Sequence, residues 1–96
     1  MENMPQQAKH IVVHGRVQGV GFRYFVQHCG TRLGLAGNVR NSPDYSVEII
    51  VEGDSTRIEQ FLKEVRKGPP MSRVERVETH EIAVTGDYGS FQIEGW

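Results

Sequence analysis

The sequence has a single cysteine, Cys29, so no disulfide bond can form within the chain. This excludes a secreted scaffold held together by disulfides and fits a reducing compartment. The first seven residues are polar, and no stretch approaches the roughly 20 apolar residues that a membrane span needs. These absences predict a cytoplasmic protein without a membrane partner.

The chain also lacks a net charge large enough to attract a long polyanion. Eleven basic and 12 acidic side chains leave a formal charge of -1. Because binding to DNA or RNA depends strongly on a positive field, no nucleic-acid partner is expected. A site for an anion must then be local.

Length and composition predict one folded unit. Ninety-six residues suffice for one hydrophobic core but not for two. Hydrophobic residues make up 38% and charged residues 24%, which is typical of a globular protein rather than a disordered chain. We expect a flexible N-terminal tail over residues 1–7, a single domain over residues 8–96, and a monomer.

The spacing of apolar residues predicts the elements of the first half. A β-branched run predicts a strand over Lys9–Val17, and helical spacing from Phe22 onward predicts a helix that Gly34 ends. Leu35–Asn41 and the alternating run Val47–Val51 flank turn-forming residues, so they are predicted to form a strand hairpin.

The second half is predicted in the same way. Asp54 or Ser55 is placed to cap a second helix, which the segment Gly68-Pro69-Pro70 stops sharply. Arg73–Val84 is an extended, irregular pattern typical of a strand. Alternation around Phe91–Ile93 indicates a possible short extra strand at the C-terminus.

The order βαββαβ is the split βαβ arrangement, an α+β sandwich in which two helices cover one face of an antiparallel sheet. A right-handed crossover makes the first two strands parallel, with the third between them. Both strands then end at the same edge of the sheet. This topology is expected to bring Arg23, which follows the first strand, close to Asn41 at the end of the second.

A glycine-containing loop, Gln18–Gly21, joins the first strand to the first helix. Its glycines allow successive backbone N–H groups to turn inward, and the helix that follows adds unpaired N–H groups and the positive end of its dipole. Such a loop suits a phosphate. A P-loop is excluded because no Gly-Lys-Ser or Gly-Lys-Thr occurs, and a dinucleotide loop is excluded because Tyr24 occupies its third glycine position.

Arg23 carries a positive charge in the first turn of the predicted helix, where the dipole opposes it by about 0.3–1 kcal/mol. A bound phosphoryl group would compensate this charge, since a guanidinium group offers a rigid fork of donors. Spacing alone supports equally well a side chain that reaches solvent or a surface carboxylate. The two interpretations stay open at this point.

Three segments together resemble the acylphosphatase family. The segment Gly15-Arg16-Val17-Gln18-Gly19-Val20-Gly21-Phe22-Arg23 resembles the signature loop of the family. The segment Gly37-Asn38-Val39-Arg40-Asn41, followed by Asp44, resembles its second motif. Gly68-Pro69-Pro70 also fits the family pattern, and the likeness spans roughly Lys9 to Ile93.

The resemblance implies a ferredoxin-like fold and hydrolysis of acyl phosphates to a carboxylate and inorganic phosphate. It implies catalysis by Arg23 and Asn41 without metal or cofactor, with a small acyl phosphate as substrate and inorganic phosphate as product or inhibitor. The implied phosphate cradle consists of Gln18, Gly19, Val20, Gly21, Phe22 and Arg23. An acyl phosphate is a mixed anhydride with a carboxylate leaving group, so positioning and electrostatics can suffice. Arg23 and the loop amides would hold the phosphoryl oxygens, and Asn41 would orient a water that attacks phosphorus.

Two residues depart from the family pattern. Tyr45 stands where the family usually has glycine in the hairpin turn, and Asn38 stands where it often has a large aromatic residue. Tyr45 is expected to be strained if the turn keeps a positive φ.

Other chemistry receives less support from the sequence. His10 and His14 share a strand face but lie about 13 Å apart along it, and His28 and His80 have no ligand spacing around them, so no metal site is predicted. Cys29 lies on the apolar stripe of the first helix, where a buried packing role is favoured over a nucleophile.

Two rival functions use the same fold. An RNA-binding module is disfavoured by the charge and by the lack of stacking aromatic residues on the central strands. A non-catalytic domain that binds a phosphorylated ligand, as within larger carbamoyl-phosphate-processing proteins, is disfavoured by the short chain.

Overall fold

The computed structural model describes residues 6–95 of the chain. The elements follow one another in the predicted order, with a short strand added at the C-terminal end. Their bounds are β1 Gln6–Arg16, α1 Phe22–Arg32, β2 Ala36–Asn41, β3 Val47–Asp54, α2 Ser55–Lys67, β4 Arg73–Ile82 and β5 Phe91–Ile93.

The five strands form one sheet in the order β4-β1-β3-β2-β5. β3 lies between β1 and β2 and is antiparallel to both, which confirms that the first two strands are parallel. Val47 of β3 pairs with Val13 on one side and Asn41 on the other, so β1 and β2 reach the same edge. β5 pairs parallel with β2, so the complete sheet is mixed rather than purely antiparallel.

Each helix buries one apolar stripe against the sheet. α1 buries Phe22, Val26 and Cys29. The α2 stripe consists of Ile58, Phe61, Leu62 and Val65. These side chains form one core with inward-facing strand residues such as Ile11 and Ile49, which are fully buried. This is the expected α+β sandwich with both helices on one face of the sheet.

Cys29 lies in this core, as the apolar stripe predicts. Burial raises the pKa of its thiol, and the nearby Glu64 carboxylate raises it further, although Arg32 acts in the opposite direction. A thiol with a raised pKa is a poor nucleophile. The packing role is therefore favoured.

β1 begins earlier than the sequence pattern indicates. Gln6 and Gln7, placed in the expected N-terminal tail, pair with Asp54 and Gly53 of β3. The rest of that tail, residues 1–5, lies outside the described residues. At the other end, β4 stops at Ile82, two residues before the predicted end.

A segment without helix or strand, residues 83–90, connects β4 and β5 at opposite edges of the sheet. Glu52 of β3 is 6% exposed and holds this segment through its carboxylate. One oxygen accepts hydrogen bonds from Thr85 N at 3.0 Å and Thr85 Oγ1 at 2.9 Å. The other accepts from Gly86 N at 3.0 Å.

We expect Glu52→Gln to lower the free energy of unfolding at pH 7 by about 1–3 kcal/mol, because the amide NH₂ would face an N–H donor. Burial alone would raise the pKa of Glu52, but the hydrogen bonds from Thr85 and Gly86 outweigh burial and lower it. Because the pKa of Glu52 is lowered in the folded state, its ionised carboxylate stabilises the fold fully above the unfolded-state pKa, about 4.3. This stabilisation is lost as the pH falls through the folded-state pKa.

Urea unfolding at pH 7 and pH 3 measures this effect, with Glu59→Gln on the exposed side of α2 as the control. The difference between Glu52→Gln and wild type should shrink at the lower pH. An equal difference at both pH values would contradict a role for the ionised carboxylate.

Candidate active site

The loop between β1 and α1 has the backbone shape of an anion cradle. Gly19 and Gly21 have positive φ values of 73° and 76°. A Cβ atom at either position would meet nothing within 4 Å, so the backbone conformation rather than packing requires glycine. Gly21 also precedes α1, whose N-terminus receives no hydrogen bond from a capping side chain. The N–H groups of this first turn are therefore available for an anion.

The side chain of Gln18 fixes the loop to the turn between β2 and β3. Its Nε2 donates hydrogen bonds to Ser42 O at 3.0 Å and to Ser46 O at 2.9 Å. The backbone of the loop is thereby held beside the end of β2, where Asn41 lies. Spacing in the sequence gives no signal for this role, because the partners are 24 and 28 residues away.

The other two cradle residues between Gln18 and Arg23 use their side chains for packing. Phe22 is buried and packs near Phe25, with ring centroids 6.1 Å apart. Val20 is partly buried and packs against the same core. The cradle therefore offers main-chain N–H groups, and Arg23 supplies its charged side chain.

Arg23 and Asn41 line one cavity of about 340 Å³, together with Arg40, Glu94 and Gly95. The topology thus brings the two predicted catalytic side chains together, one from the first turn of α1 and one from the last position of β2. Arg40, Glu94 and Gly95 were not predicted to lie here.

Arg23 is partly buried and donates from Nη1 to the main-chain oxygen of Glu94 at 3.1 Å. The first turn of α1 contains no acidic residue. Within residues 6–95 Arg23 has no carboxylate partner, whereas Arg40 is paired with Glu48. The Arg23 charge is held in place by a neutral carbonyl and remains available to an anion.

The side-chain oxygen Oδ1 of Asn41 is buried and accepts no hydrogen bond from the described residues. A buried carboxamide oxygen normally has a donor, because an unsatisfied acceptor costs about 1–3 kcal/mol. In this conformation Oδ1 has almost no surface exposed to the cavity, so a water there contacts it only after the carboxamide turns. Asn41 itself lines the cavity beside Arg23, which is the position that orientation of an attacking water requires.

Tyr45 keeps the positive φ that the hairpin turn demands. Its φ is 71°, and no other non-glycine residue among residues 6–95 has a positive φ. Asp44 supports the turn, accepting hydrogen bonds at Oδ1 from Ser46 N at 3.1 Å and Ser46 Oγ at 2.5 Å. These hydrogen bonds lower the pKa of Asp44. The turn next to Asn41 therefore has a defined shape despite the strain at Tyr45.

We expect Tyr45→Gly to raise the free energy of unfolding by about 0.5–1 kcal/mol, since a left-handed conformation costs an L-residue about 1–2 kcal/mol. The Tyr45 side chain is 76% exposed, so little packing is lost. Tyr45→Ala is the matched control because it removes the ring but keeps the Cβ atom. Stabilisation by alanine equal to that by glycine, measured by urea unfolding, would rule out backbone strain as the cause.

Two histidines on the open face of the sheet are each paired with a carboxylate. His10 Nε2 lies 2.8 Å from Glu48 Oε2, and His14 Nε2 lies 2.5 Å from Glu78 Oε2. Among residues 6–95, no three His, Cys, Asp or Glu side chains are grouped as ligands of a metal ion. No helix in the described part of the chain has the length and apolar character to cross a membrane.

Comparison with known proteins gives consistent matches to one family. The family model described as Acylphosphatase matches residues 9–93. The acylphosphatase of Koribacter versatilis is 45% identical over 89 residues, covering 93% of this chain and 81% of that protein.

Solved structures give the same result. The crystal structure of acylphosphatase from Bacillus subtilis is 39% identical, with a TM-score of 0.89 over 93% of this chain and 99% of that one. The structure of HypF from T. kodakarensis is 40% identical, with a TM-score of 0.82, and covers 93% of this chain but 12% of that one.

Proposed function

The chain belongs to the acylphosphatase family, and we propose that it hydrolyses the carboxyl–phosphate bond of acyl phosphates with Arg23 and Asn41 as its catalytic residues. Arg23 and the main-chain N–H groups of Gln18–Phe22 bind the phosphoryl group. Asn41 orients the attacking water. The substrate is a small acyl phosphate, and the products are a carboxylate and inorganic phosphate.

The observation that carries this proposal is the shared cavity of Arg23 and Asn41. Within residues 6–95, a guanidinium without a carboxylate partner and a carboxamide whose oxygen has no donor line this cavity, beside the loop that Gln18 anchors. These groups fit the two reactants, the phosphoryl group and the attacking water. One cation and several N–H donors suit the phosphoryl oxygens, and one acceptor suits the water.

The chemical step needs little from the protein beyond these groups. The water oxygen forms a bond to phosphorus while the bond between phosphorus and the acyl oxygen breaks, and the carboxylate leaves with the electron pair. In a loose transition state, negative charge lies on the equatorial phosphoryl oxygens, where Arg23 and the amides bind. Asn41 is too weakly basic to remove a proton, so the proton of the water passes to phosphate oxygens or solvent after bond formation.

The finer expectations from the sequence are part of the same proposal. The enzyme acts as a single-domain monomer in the cytoplasm, binds neither nucleic acid nor membrane, and uses no metal ion or other cofactor. Inorganic phosphate is expected to act as a competitive inhibitor, because it occupies the same cradle as the phosphoryl group of the substrate.

Hydrolysis of acetyl phosphate in the presence of a chelator tests the proposal. Phosphate esters and nucleotides serve as negative controls, because their leaving groups are poorer than the carboxylate of an acyl phosphate. Turnover of acetyl phosphate alone is the expected result. Because HypF contains a similar segment within a much longer chain, a phosphate-binding domain without turnover is the second candidate. Binding of inorganic phosphate without turnover of any acyl phosphate would favour that candidate.

A further inference from the structure

The cavity that contains Arg23 and Asn41 continues onto the open face of the sheet. Arg40 and Glu94 line that cavity and also line a second one of about 340 Å³. The second cavity is completed by His10, Asn38, Glu48, Ile50 and Tyr88. If the phosphoryl group lies at Arg23, the adjoining cavity is a candidate place for the acyl group, because it shares Arg40 and Glu94 with the phosphoryl site.

The hydrogen-bond donors of this second cavity are largely in use. Arg40 is paired with Glu48, and His10 lies 2.8 Å from the same carboxylate. The hydrogen bond from His10 and the charge of Arg40 lower the pKa of Glu48 and outweigh the opposite effect of burial. Glu48 therefore stays ionised at neutral pH and keeps Arg40 neutralised. An anionic acyl group finds no unpaired cation in this cavity among the described residues.

Glu94 is the charged side chain of this cavity that lacks a partner of opposite charge within residues 6–95. Its Oε2 accepts a hydrogen bond from Asn38 Nδ2 at 3.3 Å, which directs the carboxylate toward the open face. Its main-chain oxygen accepts a hydrogen bond from Arg23 Nη1 at 3.1 Å, and Glu94 lines both cavities.

We propose that this second cavity is the acyl subsite, and that the Glu94 carboxylate makes it selective for short acyl groups carrying an ammonium substituent. This inference rests on the proposed acyl phosphate hydrolysis and names the substrate class of the same site. The preferred substrate is then dipolar, with its phosphoryl anion at Arg23 and its cation at Glu94. Asn38 acts as a positioning residue for that carboxylate.

The test compares β-alanyl phosphate with butyryl phosphate, because an ammonium group in the first replaces the terminal methyl group of the second. Wild type should show the higher kcat/KM for β-alanyl phosphate. In Glu94→Gln the ratio of the two kcat/KM values should fall about three- to fivefold, as expected for one ion pair at an exposed position. The change should appear in KM more than in kcat, and wild-type selectivity should weaken with added salt.

Glu94→Gln keeps the main-chain oxygen that holds Arg23, so a purely structural effect would change both substrates together and leave the ratio unchanged. Glu59→Gln on α2 is the matched control and should keep the wild-type ratio. An unchanged ratio in Glu94→Gln would overturn the acyl subsite while leaving acyl phosphate hydrolysis intact. Failure of wild type to hydrolyse either substrate would instead overturn the proposed function.

Discussion

Replacing Arg23 by alanine is expected to lower kcat/KM for acetyl phosphate by about 1,000-fold. Loss of one preorganised donor to a developing oxyanion typically costs about 100- to 1,000-fold, and loss of an arginine at a transferring phosphoryl group costs about 1,000- to 100,000-fold. Arg23 combines both features, because it has no carboxylate partner among residues 6–95 and lines the cavity beside the loop amides. Affinity for inorganic phosphate should fall as well.

Two further variants separate the charge of Arg23 from its geometry. Arg23→Lys keeps the positive charge but loses the planar fork of donors, so it should recover a small part of the activity at most. Arg66→Ala, on the exposed side of α2, controls for the loss of a surface arginine and should match wild type. Thermal unfolding must show that Arg23→Ala still folds. Activity of folded Arg23→Ala within tenfold of wild type would contradict the assigned role.

Replacing Asn41 by alanine is expected to lower kcat by about 100- to 1,000-fold while leaving KM and phosphate affinity little changed. The carboxamide acts on the attacking water, so its contribution arises in the transition state rather than in substrate binding. Asn41 lines the cavity with Arg23, and its Oδ1 has no donor within the described chain, so a turn of the carboxamide leaves that oxygen free to accept from the water. Initial rates over a range of acetyl phosphate concentrations separate the two parameters.

Asn41→Asp is the informative companion variant. It keeps the shape and the acceptor but adds a negative charge next to the phosphoryl group, so it should lower both kcat and phosphate affinity. Gln60→Ala on the exposed surface of α2 controls for the loss of a carboxamide and should behave as wild type. If Asn41→Ala raised KM and left kcat unchanged, Asn41 would be a binding group and not the residue that orients water.

The main elements of the fold were predictable because local patterns specify them. The apolar stripe that begins at Phe22 and the turn residues at Gly34 and Asp54 define the helices, and Asp54 does cap α2 through Thr56 N at 2.8 Å. The beginning of β1 was not predictable from apolar pattern, because Gln6 is polar and extends the strand only by pairing with Asp54.

The orientation of β5 also depends on tertiary packing. Three residues are too few to show a clear period, and Phe91 reaches the core only because Gly30 leaves room for it. A Cβ atom at Gly30 would lie 2.4 Å from the Phe91 ring. The parallel pairing with β2 therefore follows from a contact between distant residues rather than from the local sequence.

The candidate site was predictable where topology alone brings residues together. The split βαβ order places Arg23 and Asn41 at one edge, and the structure has them line one cavity. The supporting contacts have no such signal. Gln18 holds the turn after β2 through its side chain, and Glu94 holds Arg23 through a main-chain oxygen 71 residues away. Every residue has a backbone carbonyl, so a contact made through one cannot be predicted from the residue type.

The proposed reaction is attack of water on phosphorus in a phosphoryl group bound at Arg23. A single turnover of acetyl phosphate in water enriched in ¹⁸O, with enzyme in excess, measures this directly by mass spectrometry of both products. The predicted result is one ¹⁸O atom in inorganic phosphate and none in acetate. Label in the acetate instead would place the attack at the acyl carbon and contradict the assignment of Arg23 and Asn41.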